Sequence, residues 1–573
     1  MGFRCALAQI SPHVGDIDGN VDRILDAWRE AADLGADVVV FTELTITGYP
    51  PEDLLLKREF VDANLAALHH LAANGPANAV AVVGFVGAGA GDATDPEHWD
   101  VSLATRNLTN SAAVIDDGTI VGTYNKLRLP NYGVFDEARY FMPDDDICVV
   151  DVGGVSVGVT ICEDLWTERG PMHDAARAGA DVLVSLNASP YHRAKRADRE
   201  RWVVHHATQA NAWVAWCNAV GGQDEVVFDG DSMLAAPTGD IVARGHQFAE
   251  DLVVVDLDIE RSEDSRTHDR RPALDARDEP PRLDPVGEVW HALVRSVRDY
   301  CHRNGFETAV VGLSGGIDSA VTATLAVDAL GADQVTGVAM PSPYSSDHSV
   351  ADARLLVDAL GCRYENLPIA TLLKAAGTTL GNLVANDFDT GDAGVAWENL
   401  QSRLRGLLLM ALSNEHGAIV LTTGNKSEYA VGYATLYGDM AGGFAPLKDV
   451  PKLLVYELAV WRNRSHTVIP TTTIDKPPSA ELRPGQLDQD SLPDYAILDD
   501  IVAAYVERDL GIDAIVARGH DRVVVERTVQ LIDRAEYKRR QAAPGPKITE
   551  RAFGRDRRVP ITNGWRGRST RTT

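Results

Sequence analysis

Residues 312–319 read Gly-Leu-Ser-Gly-Gly-Ile-Asp-Ser, and this segment constrains the fold more than any other part of the chain. It follows the apolar run Ala309-Val310-Val311 and precedes a helix-forming run that begins at Ala320. That order predicts a buried strand, a glycine turn and the start of a helix. Adjacent glycines let a backbone approach a charged group closely, and the N–H groups at a helix start face such a group. The segment therefore predicts an anion site.

The glycine turn differs from two common nucleotide-binding turns. No Gly-Lys-Ser/Thr follows the glycines, as a Walker A loop requires, and the Gly-x-Gly-x-x-Gly spacing of dinucleotide folds is missing. Asp318 would repel a phosphate unless a divalent cation bridges the two groups. We therefore predict that the segment binds Mg-ATP, and the alternative is an ordinary Gly-Gly turn before a helix.

The same eight residues resemble the PP-loop of the N-type ATP pyrophosphatases, which release pyrophosphate and adenylate a substrate oxygen. The resemblance implies a doubly wound parallel-sheet domain in which Asp318 is a ligand of Mg²⁺. It also implies that every residue of the turn binds ATP: Gly312, Leu313, Ser314, Gly315, Gly316, Ile317, Asp318 and Ser319.

The length and composition of the chain predict two globular domains. Its 573 residues, 45% of them hydrophobic, exceed the size at which a single core stops growing. No apolar stretch of about 20 residues occurs, and the N-terminus lacks the pattern of a signal peptide, so we expect a cytoplasmic protein with no membrane partner. The six cysteines include no Cys-x-x-Cys pair, which argues against a disulfide framework or a zinc site.

The formal net charge of −29 predicts that nucleic acid is not a partner, because the mean field repels phosphate backbones. The C-terminal tail is a local basic exception. For this tail we predict a solvated segment or a contact between subunits rather than RNA binding. Its arginines are Arg551, Arg555, Arg557, Arg558, Arg566, Arg568 and Arg571.

The order of apolar and polar segments predicts where the domains lie. Short apolar strands alternate with helical stretches up to about Asp258, which predicts an α/β domain over residues 1–260. Residues 261–285 are rich in Arg, Asp, Glu and Pro and predict a linker. A helix over 287–303 then opens a second α/β domain, residues 286–573, with a parallel sheet and its ligand at the carboxyl ends of the strands.

Three polar residues stand at the ends of apolar segments in the first domain: Glu43, Lys126 and Cys162. Each alone has a simpler explanation, since a cysteine after a strand is usually a small core residue and a lone charge is usually solvated. Together they supply a base, a cation and a nucleophile. Those groups suit attack of a thiolate on an amide.

These residues and their contexts resemble the nitrilase superfamily. The contexts are Phe-Thr-Glu-Leu-Thr around Glu43, Asn-Lys-Leu-Arg-Leu-Pro-Asn-Tyr from Asn125, and Ile-Cys-Glu-Asp-Leu-Trp around Cys162. The resemblance implies a four-layer α-β-β-α sandwich in which Glu43 is the general base, Cys162 the nucleophile and Lys126 the oxyanion stabiliser, assisted by the N–H of Glu163. It further implies that Glu137 is a second glutamate beside this triad. The residues that it implies for glutamine binding are Tyr132, Ser189 and Lys195.

The segments beyond the glycine turn resemble the NAD synthetase family over residues 286–550. They include Trp397–Arg405, which predicts the start of an amphipathic helix, and Ile419–Glu428, which predicts a second buried strand that ends in a polar, glycine-containing turn. The resemblance implies that Thr423, Lys452 and Ser479 bind ATP alongside the glycine turn. It also implies that Asn399, Glu428 and Lys538 contact deamido-NAD, and that Glu428 is a second Mg²⁺ ligand.

The two resemblances explain each other, because an amidase that attacks glutamine makes ammonia and an adenylating domain needs a nucleophile. They imply that ATP adenylates the nicotinate carboxylate of deamido-NAD and that ammonia then displaces AMP to give NAD. Family members are commonly homo-oligomers, so the resemblance implies a homo-oligomer. Three alternatives stay open: another PP-loop amidotransferase such as GMP or asparagine synthetase, a tRNA-thiolating PP-loop protein, and a non-enzymatic ligand-binding protein.

Overall fold

The computed structural model describes residues 2–88, 107–259, 271–274, 277–381 and 394–565, which fall into two compact units. The first unit comprises residues 1–223 and 227–283, and the second comprises residues 224–226 and 284–573. Within the described ranges, no helix combines the length and the apolar character needed to cross a membrane.

The first unit consists of strands in two sheets, a short two-stranded ribbon and helices. Its described strands are β1 (Phe3–Gln9), β2 (Val38–Val40), β3 (Val80–Ala88), β4 (Leu108–Asp116), β5 (Thr119–Asn125), β6 (Cys148–Val152), β7 (Val155–Ile161), β8 (Val182–Asn187), β9 (Trp213–Asn218), β10 (Val220–Gln223), β11 (Val226–Asp229), β12 (Met233–Ala235), β13 (Ile241–Arg244) and β14 (Asp251–Leu257). Its described α-helices are α1 (Ile17–Asp33), α2 (Arg58–Asn74), α3 (Pro171–Arg177) and α4 (Lys195–Ala210).

The two larger sheets of this unit pack face to face and are covered on both outer sides by helices. Their strand orders are β14-β1-β2-β3-β4-β5 and β13-β12-β9-β8-β7-β6. Side chains such as Leu7 and Val40 of one sheet share a core with Val157 of the other. Trp28 of α1 packs on the outer side of the first sheet, and Met172 of α3 packs on that of the second. The four-layer α-β-β-α sandwich implied by the sequence is confirmed.

The second unit contains a smaller sheet and many helices. Its described strands are β15 (Ala309–Leu313), β16 (Val335–Ala339), β17 (Arg363–Asn366) and β18 (Ile419–Leu421). Its described α-helices are α5 (Pro285–Arg303), α6 (Ile317–Leu330), α7 (Asp347–Leu360), α8 (Ala370–Leu380), α9 (Val395–His416), α10 (Lys426–Val431), α11 (Lys452–Arg462), α12 (Thr471–Asp475), α13 (Tyr495–Val502), α14 (Ile512–Val516), α15 (Arg522–Arg534) and α16 (Glu536–Arg539).

All pairings in the described sheet of the second unit are parallel, in the order β17-β16-β15-β18. Leu409 of α9 packs on one face, against Val310 and Val420. Val311 points to the opposite face because side chains alternate along a strand, and α6 packs against β15 and β16. The predicted doubly wound parallel sheet is confirmed. The edge that follows β15 and β18 is where such folds bind ligands.

Local sequence explains where the second unit begins its first helix. The side chain of Asp284 accepts a hydrogen bond from the N–H of Gly287 at 2.7 Å, and Pro285 occupies the first turn of α5. An N-cap aspartate followed by proline fixes a helix start at this point. The helix therefore starts two residues before the predicted residue 287.

The basic tail is packed at Arg551 and Arg557, so the predicted solvated segment is wrong for these two residues, whereas Arg555 and Arg558 are exposed. The alternative, a contact between subunits, stays a prediction. Arg557 is buried, with its guanidinium 5.8 Å from the ring centre of Tyr505, and Arg551 pairs with Asp509. The N–H of Thr549 donates to Asp449 at 2.8 Å. These contacts compensate the positive charges within the second unit. Arg566, Arg568 and Arg571 lie outside the described residues.

Candidate active sites

A buried charge cluster of the first unit joins the segments that follow β2 and β5 to the 3₁₀ helix Glu137–Arg139. Lys126, directly after β5, donates from Nζ to Oε1 of Glu43 at 2.7 Å and to both carboxylate oxygens of Glu137 at 2.9 Å. All three side chains are almost completely inaccessible to solvent. Glu43 is also held from other directions by Asn110 Nδ2 at 2.7 Å and by the N–H of Ala188 at 3.1 Å. Both carboxylates are therefore fixed in orientation around one ammonium group.

Cys162 stands at a strained turn between β7 and a 3₁₀ helix that spans Cys162–Leu165. Its φ of 43° is in the left-handed region, which a side chain rarely adopts and which a surrounding structure must enforce. Asp164 supplies that support, because its carboxylate accepts from the N–H of Ile161 at 3.0 Å, from the N–H of Arg128 at 2.9 Å and from the hydroxyl of Tyr124 at 2.7 Å.

Electrostatics couple the thiol to this cluster. Burial raises the pKa of Cys162 well above its usual range, and the charge of Glu43 raises it further while Lys126 opposes the shift. The two carboxylates raise the pKa of Lys126 despite its burial, so its ammonium stays charged. Burial raises the pKa of Glu137 to about 7. A neutral thiol beside a fixed carboxylate and a fixed cation suits nucleophilic attack in which the carboxylate takes the thiol proton.

Of the residues predicted to bind glutamine, Tyr132 and Ser189 lie on loops and Lys195 begins α4. The Tyr132 hydroxyl donates to Glu163 at 3.0 Å, and the charge of Lys195 acts on that same carboxylate. Lys195 Nζ donates to the carbonyl of Pro190 at 3.0 Å. Ser189, two residues after β8, is buried, and its N–H donates to Asn218 at 2.9 Å. The structure thus brings Tyr132 and Lys195 to one carboxylate and places Ser189 next to the Ala188 N–H that contacts Glu43.

Sequence reasoning missed three supporting residues of this site: Asn110, Tyr49 and Arg199. Asn110 bonds Glu43, and the Tyr49 hydroxyl donates to Glu137 at 2.8 Å. Asn110 stands between Thr109 and Ser111 in the strand Leu108–Asp116, so its polarity is not distinctive there. Tyr49 and Arg199 carry no distinctive local signal either.

A cavity of about 390 Å³ opens at the ligand edge of the second unit's sheet. Strand β15 extends to Leu313 and α6 begins at Ile317, so the turn itself is only Ser314–Gly316. Gly315 has a φ of 75°, and a Cβ there would lie 2.3 Å from the backbone oxygen of Ser349. Glycine is required at this position by both conformation and space. Seven of the eight predicted turn residues line the cavity: Gly312, Leu313, Ser314, Gly316, Ile317, Asp318 and Ser319.

Two residues that line this cavity, Lys452 and Asp318, form an ion pair. Lys452, at the start of α11, donates from Nζ to Oδ2 of Asp318 at 2.5 Å and lies 3.6 Å from Oε1 of Glu428. Asn425 Nδ2 donates to the other oxygen of Asp318 at 2.8 Å. Glu428 forms a capping box with Asn425 at the start of α10, which fixes the glutamate in the first turn of that helix.

The carboxylates in this cavity fit a hard divalent cation. Burial and the charge of Asp318 raise the pKa of Glu428 to about 8, while Lys452 opposes the shift. Asp488, which also lines the cavity, has a raised pKa because it is buried. The single positive charge of Lys452 therefore faces more than one acidic group. Mg²⁺ prefers oxygen ligands, and carboxylates whose negative charge is not fully compensated are suitable ones. Asp318 and Glu428 therefore suit ligation of Mg²⁺.

The other predicted nucleotide and substrate residues also line the cavity: Thr423, Asn399, Lys538 and Ser479. Lys538 donates to the carbonyls of Gly432 at 2.7 Å and Ala434 at 2.8 Å, so its ammonium is held in place. Asn399 Oδ1 accepts from Thr435 at 2.8 Å. The structure thus brings all of these predicted residues to one cavity. Gly315 does not line the cavity but packs against the backbone of Ser349.

Sequence reasoning missed several charged residues of this cavity, among them Arg405 and Asp488. Arg405 donates from Nε to the carbonyl of Met340 at 3.0 Å, and burial lowers its pKa to about 10. Asp488 accepts from the hydroxyl of Tyr495 at 2.8 Å. Arg405 lies on the helix predicted from Trp397–Arg405, where spacing alone did not separate a cavity residue from a surface charge.

Comparison with known proteins assigns both units to families. Residues 4–267 match the family described as carbon-nitrogen hydrolase, and residues 289–542 match NAD synthase. The chain is 42% identical to the glutamine-dependent NAD(+) synthetase of Thermotoga maritima, over 98% of each chain. The chain belongs to the glutamine-dependent NAD(+) synthetase family. Another glutamine-dependent NAD(+) synthetase, from Xanthomonas campestris, is 46% identical and matches over 99% of this chain and 98% of its own.

Two solved structures of glutamine-dependent NAD(+) synthetases are similar to this chain. The protein from Acinetobacter baumannii, in complex with adenosine diphosphate, is 40% identical and aligns over 99% of this chain and all of its own, with a TM-score of 0.75. The protein from Cytophaga hutchinsonii aligns over 98% of both chains with a TM-score of 0.82. At 21% identity, the second likeness shows the fold alone.

Proposed function

We propose that this chain hydrolyses glutamine in its first unit and uses the ammonia in its second unit to convert deamido-NAD to NAD, with ATP cleaved to AMP and pyrophosphate. The observation that carries the proposal is the buried Lys126, which fixes Glu43 and Glu137 around the strained Cys162 turn. Membership of the glutamine-dependent NAD(+) synthetase family supports the identity of both substrates.

In the first unit, Glu43 takes the proton of the Cys162 thiol as sulfur attacks the amide carbon of glutamine. The Lys126 ammonium and the N–H of Glu163 stabilise the oxyanion that forms. Glu43 returns the proton to the leaving ammonia, and a thioester remains on Cys162. Water activated by Glu43 then hydrolyses that thioester to glutamate, with Tyr132, Ser189 and Lys195 holding the rest of the substrate.

In the second unit, the Ser314–Gly316 turn and the start of α6 face the ATP phosphates, together with Thr423, Lys452 and Ser479. The nicotinate carboxylate of deamido-NAD attacks the α-phosphorus of ATP, and pyrophosphate leaves. Ammonia then attacks the acyl carbon, and AMP leaves with both electrons of the broken acyl–oxygen bond. Asn399, Glu428 and Lys538 position deamido-NAD for these steps.

Asp318 and Glu428 are the residues that would hold Mg²⁺, on the fit of their carboxylates described above. When bound, the ion would neutralise phosphate charge and so allow an acidic side chain beside the phosphates.

Four further expectations form part of the proposal: a homo-oligomeric state, a cytoplasmic location, partners limited to small molecules, and domain boundaries at residues 1–260 and 286–573 with a linker at 261–285. Of that linker, Arg271 pairs with Asp37, Arg277 with Asp251 and Arg282 with Glu200, so all three described arginines are tied to the first unit.

The proposal is tested by supplying the full chain with ATP, Mg²⁺ and ammonium together with deamido-NAD, xanthosine monophosphate or aspartate. We expect AMP to form only with deamido-NAD. We also expect Asp318→Ala to lower the rate of AMP formation by at least about a hundredfold, since positioning and charge compensation are both lost. AMP formation with another acceptor would instead identify a different PP-loop amidotransferase. Undiminished AMP release by Asp318→Ala would remove Asp318 from the site.

A further inference from the structure

Arg199 is a completely buried arginine that the proposed chemistry does not use. It lies on α4, and its Nη1 donates to both carboxylate oxygens of Asp229 at 2.7 Å. Its guanidinium lies 5.5 Å from the ring centre of Trp216. The pair with Asp229 compensates its charge, but a buried ion pair by itself contributes little stability compared with apolar side chains of similar volume. Its remaining hydrogen bonds therefore indicate what else the arginine does.

Those hydrogen bonds all end on the loop that follows β8. Arg199 donates from Nε to the hydroxyl of Ser189 at 3.2 Å and from Nη2 to the carbonyls of Ser189 at 2.6 Å and Pro190 at 3.0 Å. The planar guanidinium presents its donors in a fixed arrangement, so three contacts to one short loop fix both its path and the Ser189 rotamer. Lysine, with a single nitrogen, cannot reproduce that set.

The loop that Arg199 holds also reaches the catalytic base. The N–H of Ala188 donates to Oε2 of Glu43 at 3.1 Å, and the adjacent Ser189 N–H donates to Asn218 at 2.9 Å. The Ser189 hydroxyl accepts from Arg199, so its own single hydrogen is kept for donation. That hydrogen suits an acceptor such as the α-carboxylate of an amino acid. One arginine thus contacts the hydroxyl that is predicted to bind glutamine and holds the loop whose Ala188 N–H bonds Glu43.

We propose that Arg199 is a positioning residue for glutamine hydrolysis, which fixes the Ser189 hydroxyl as a donor to bound glutamine and the Ala188 N–H on Glu43. The inference rests on the proposed function of the first unit. Kinetic measurements distinguish this positioning role from that of a purely structural ion pair. A variant that is only less folded loses active enzyme, which lowers apparent kcat and leaves KM unchanged, whereas a mispositioned Ser189 raises KM.

The test is Arg199→Lys in the full chain, with glutamate release measured against glutamine concentration. We expect KM for glutamine to rise about tenfold, which corresponds to one hydrogen bond to a charged group, and kcat/KM to fall about a hundredfold because Glu43 is also released. NAD formation with ammonium should stay within about twofold, since Arg199 lies in the first unit.

Arg244→Lys is the matched control. Arg244 is equally buried in the first unit and pairs with Glu200 on the same helix, α4, but it makes no contact with the Ser189 loop among the described residues. We expect its KM for glutamine to match the wild type. Equal KM increases in both variants would mean that any buried charge change disturbs the site, and this outcome would overturn the positioning role.

A double-mutant cycle with Ser189→Ala decides whether Arg199 acts through that hydroxyl. If it does, the KM effects of Arg199→Lys and Ser189→Ala are not additive, whereas additive effects contradict the inference. Where Arg199→Lys does not fold, Ser189→Ala alone keeps the Arg199–Asp229 pair and removes only the hydroxyl that Arg199 contacts, and a KM rise of about tenfold is expected. An unchanged KM there overturns the inference. Cys162→Ala, run alongside, separates this failure from that of the proposed function, because it must abolish glutamate release.

Discussion

At the scale of residues, the first unit concentrates several charges where water is excluded. Two carboxylates share the Lys126 ammonium at 2.7 and 2.9 Å, and each is held by a further donor, Asn110 or Tyr49. Charges buried this deeply persist only when they are paired and hydrogen-bonded. The arrangement leaves the thiol of Cys162 neutral beside a base whose position is fixed, which favours proton transfer during attack over a free thiolate.

Glu43→Gln should separate thiol acidity from catalysis. The charge of Glu43 raises the pKa of Cys162, so its removal should lower that pKa. The midpoint of the pH dependence of iodoacetamide alkylation at Cys162, followed by mass spectrometry, should move to lower pH. Glutamine hydrolysis should nevertheless fall by at least about a hundredfold, because the general base is gone.

Glu59→Gln serves as the control for this prediction. Glu59 is an exposed glutamate near the start of α2, so its loss should change neither the alkylation midpoint nor the rate of glutamine hydrolysis. A midpoint that stays in place or rises in Glu43→Gln would mean that Glu43 does not act on the thiol.

Residues in local motifs were predictable, and residues that act across the fold were not. Glu43, Lys126 and Cys162 each follow an apolar run, and the structure gathers Lys126 and Glu43 in one cluster with the Cys162 thiol. Tyr49 reaches Glu137 across 88 positions of the chain, and Arg199 reaches Asp229 across 30. No spacing rule links such pairs, because their proximity follows from sheet packing.

At the scale of elements, the strand–turn–helix of β15 and α6 sets the geometry of the nucleotide cavity. The sequence predicted its order correctly, but the turn is shorter than the motif, because regular structure includes Gly312-Leu313 and Ile317-Asp318. Strand and helix geometry therefore fix most of the motif. Only Ser314–Gly316 lies outside regular secondary structure, and within it Gly315 is packed against the backbone of Ser349.

Gly315→Ala should disrupt this element, because the added Cβ must displace the Ser349 carbonyl as well as tolerate a positive φ. We expect AMP formation from ATP and deamido-NAD to fall more than about tenfold through misplacement of the turn. Steady-state assays with ammonium as the nitrogen source measure this effect without any contribution from glutamine hydrolysis.

Gly361→Ala is a matched control at the end of α7. Its φ of 69° is close to the 75° of Gly315, but no atom lies within 4 Å of the added Cβ. It should lower the free energy of unfolding by about 1 kcal/mol while leaving AMP formation unchanged. Equal losses of AMP formation in both variants would show that backbone strain alone, and not the contact with Ser349, requires glycine.

At the scale of the whole molecule, two chemically different sites lie in two compact units of one chain. The sequence predicted both fold classes, because strand–helix alternation is visible throughout and each domain carries its own motif. The basic tail was harder to predict. Its arginines suggest a solvated segment, but Arg557 and Arg551 find partners at Tyr505 and Asp509, which no local pattern reveals.

The central claim is that one unit makes ammonia and the other consumes it, and Cys162→Ala tests it most directly. NAD formation from deamido-NAD and ATP is measured in the full-length variant, once with glutamine and once with a high concentration of ammonium. We expect the glutamine-driven rate to fall to background, because the nucleophile is gone, while the ammonium-driven rate stays within about twofold of the wild type, as expected for independent sites. Loss of both rates in a folded variant, or a glutamine-driven rate that persists, would contradict it.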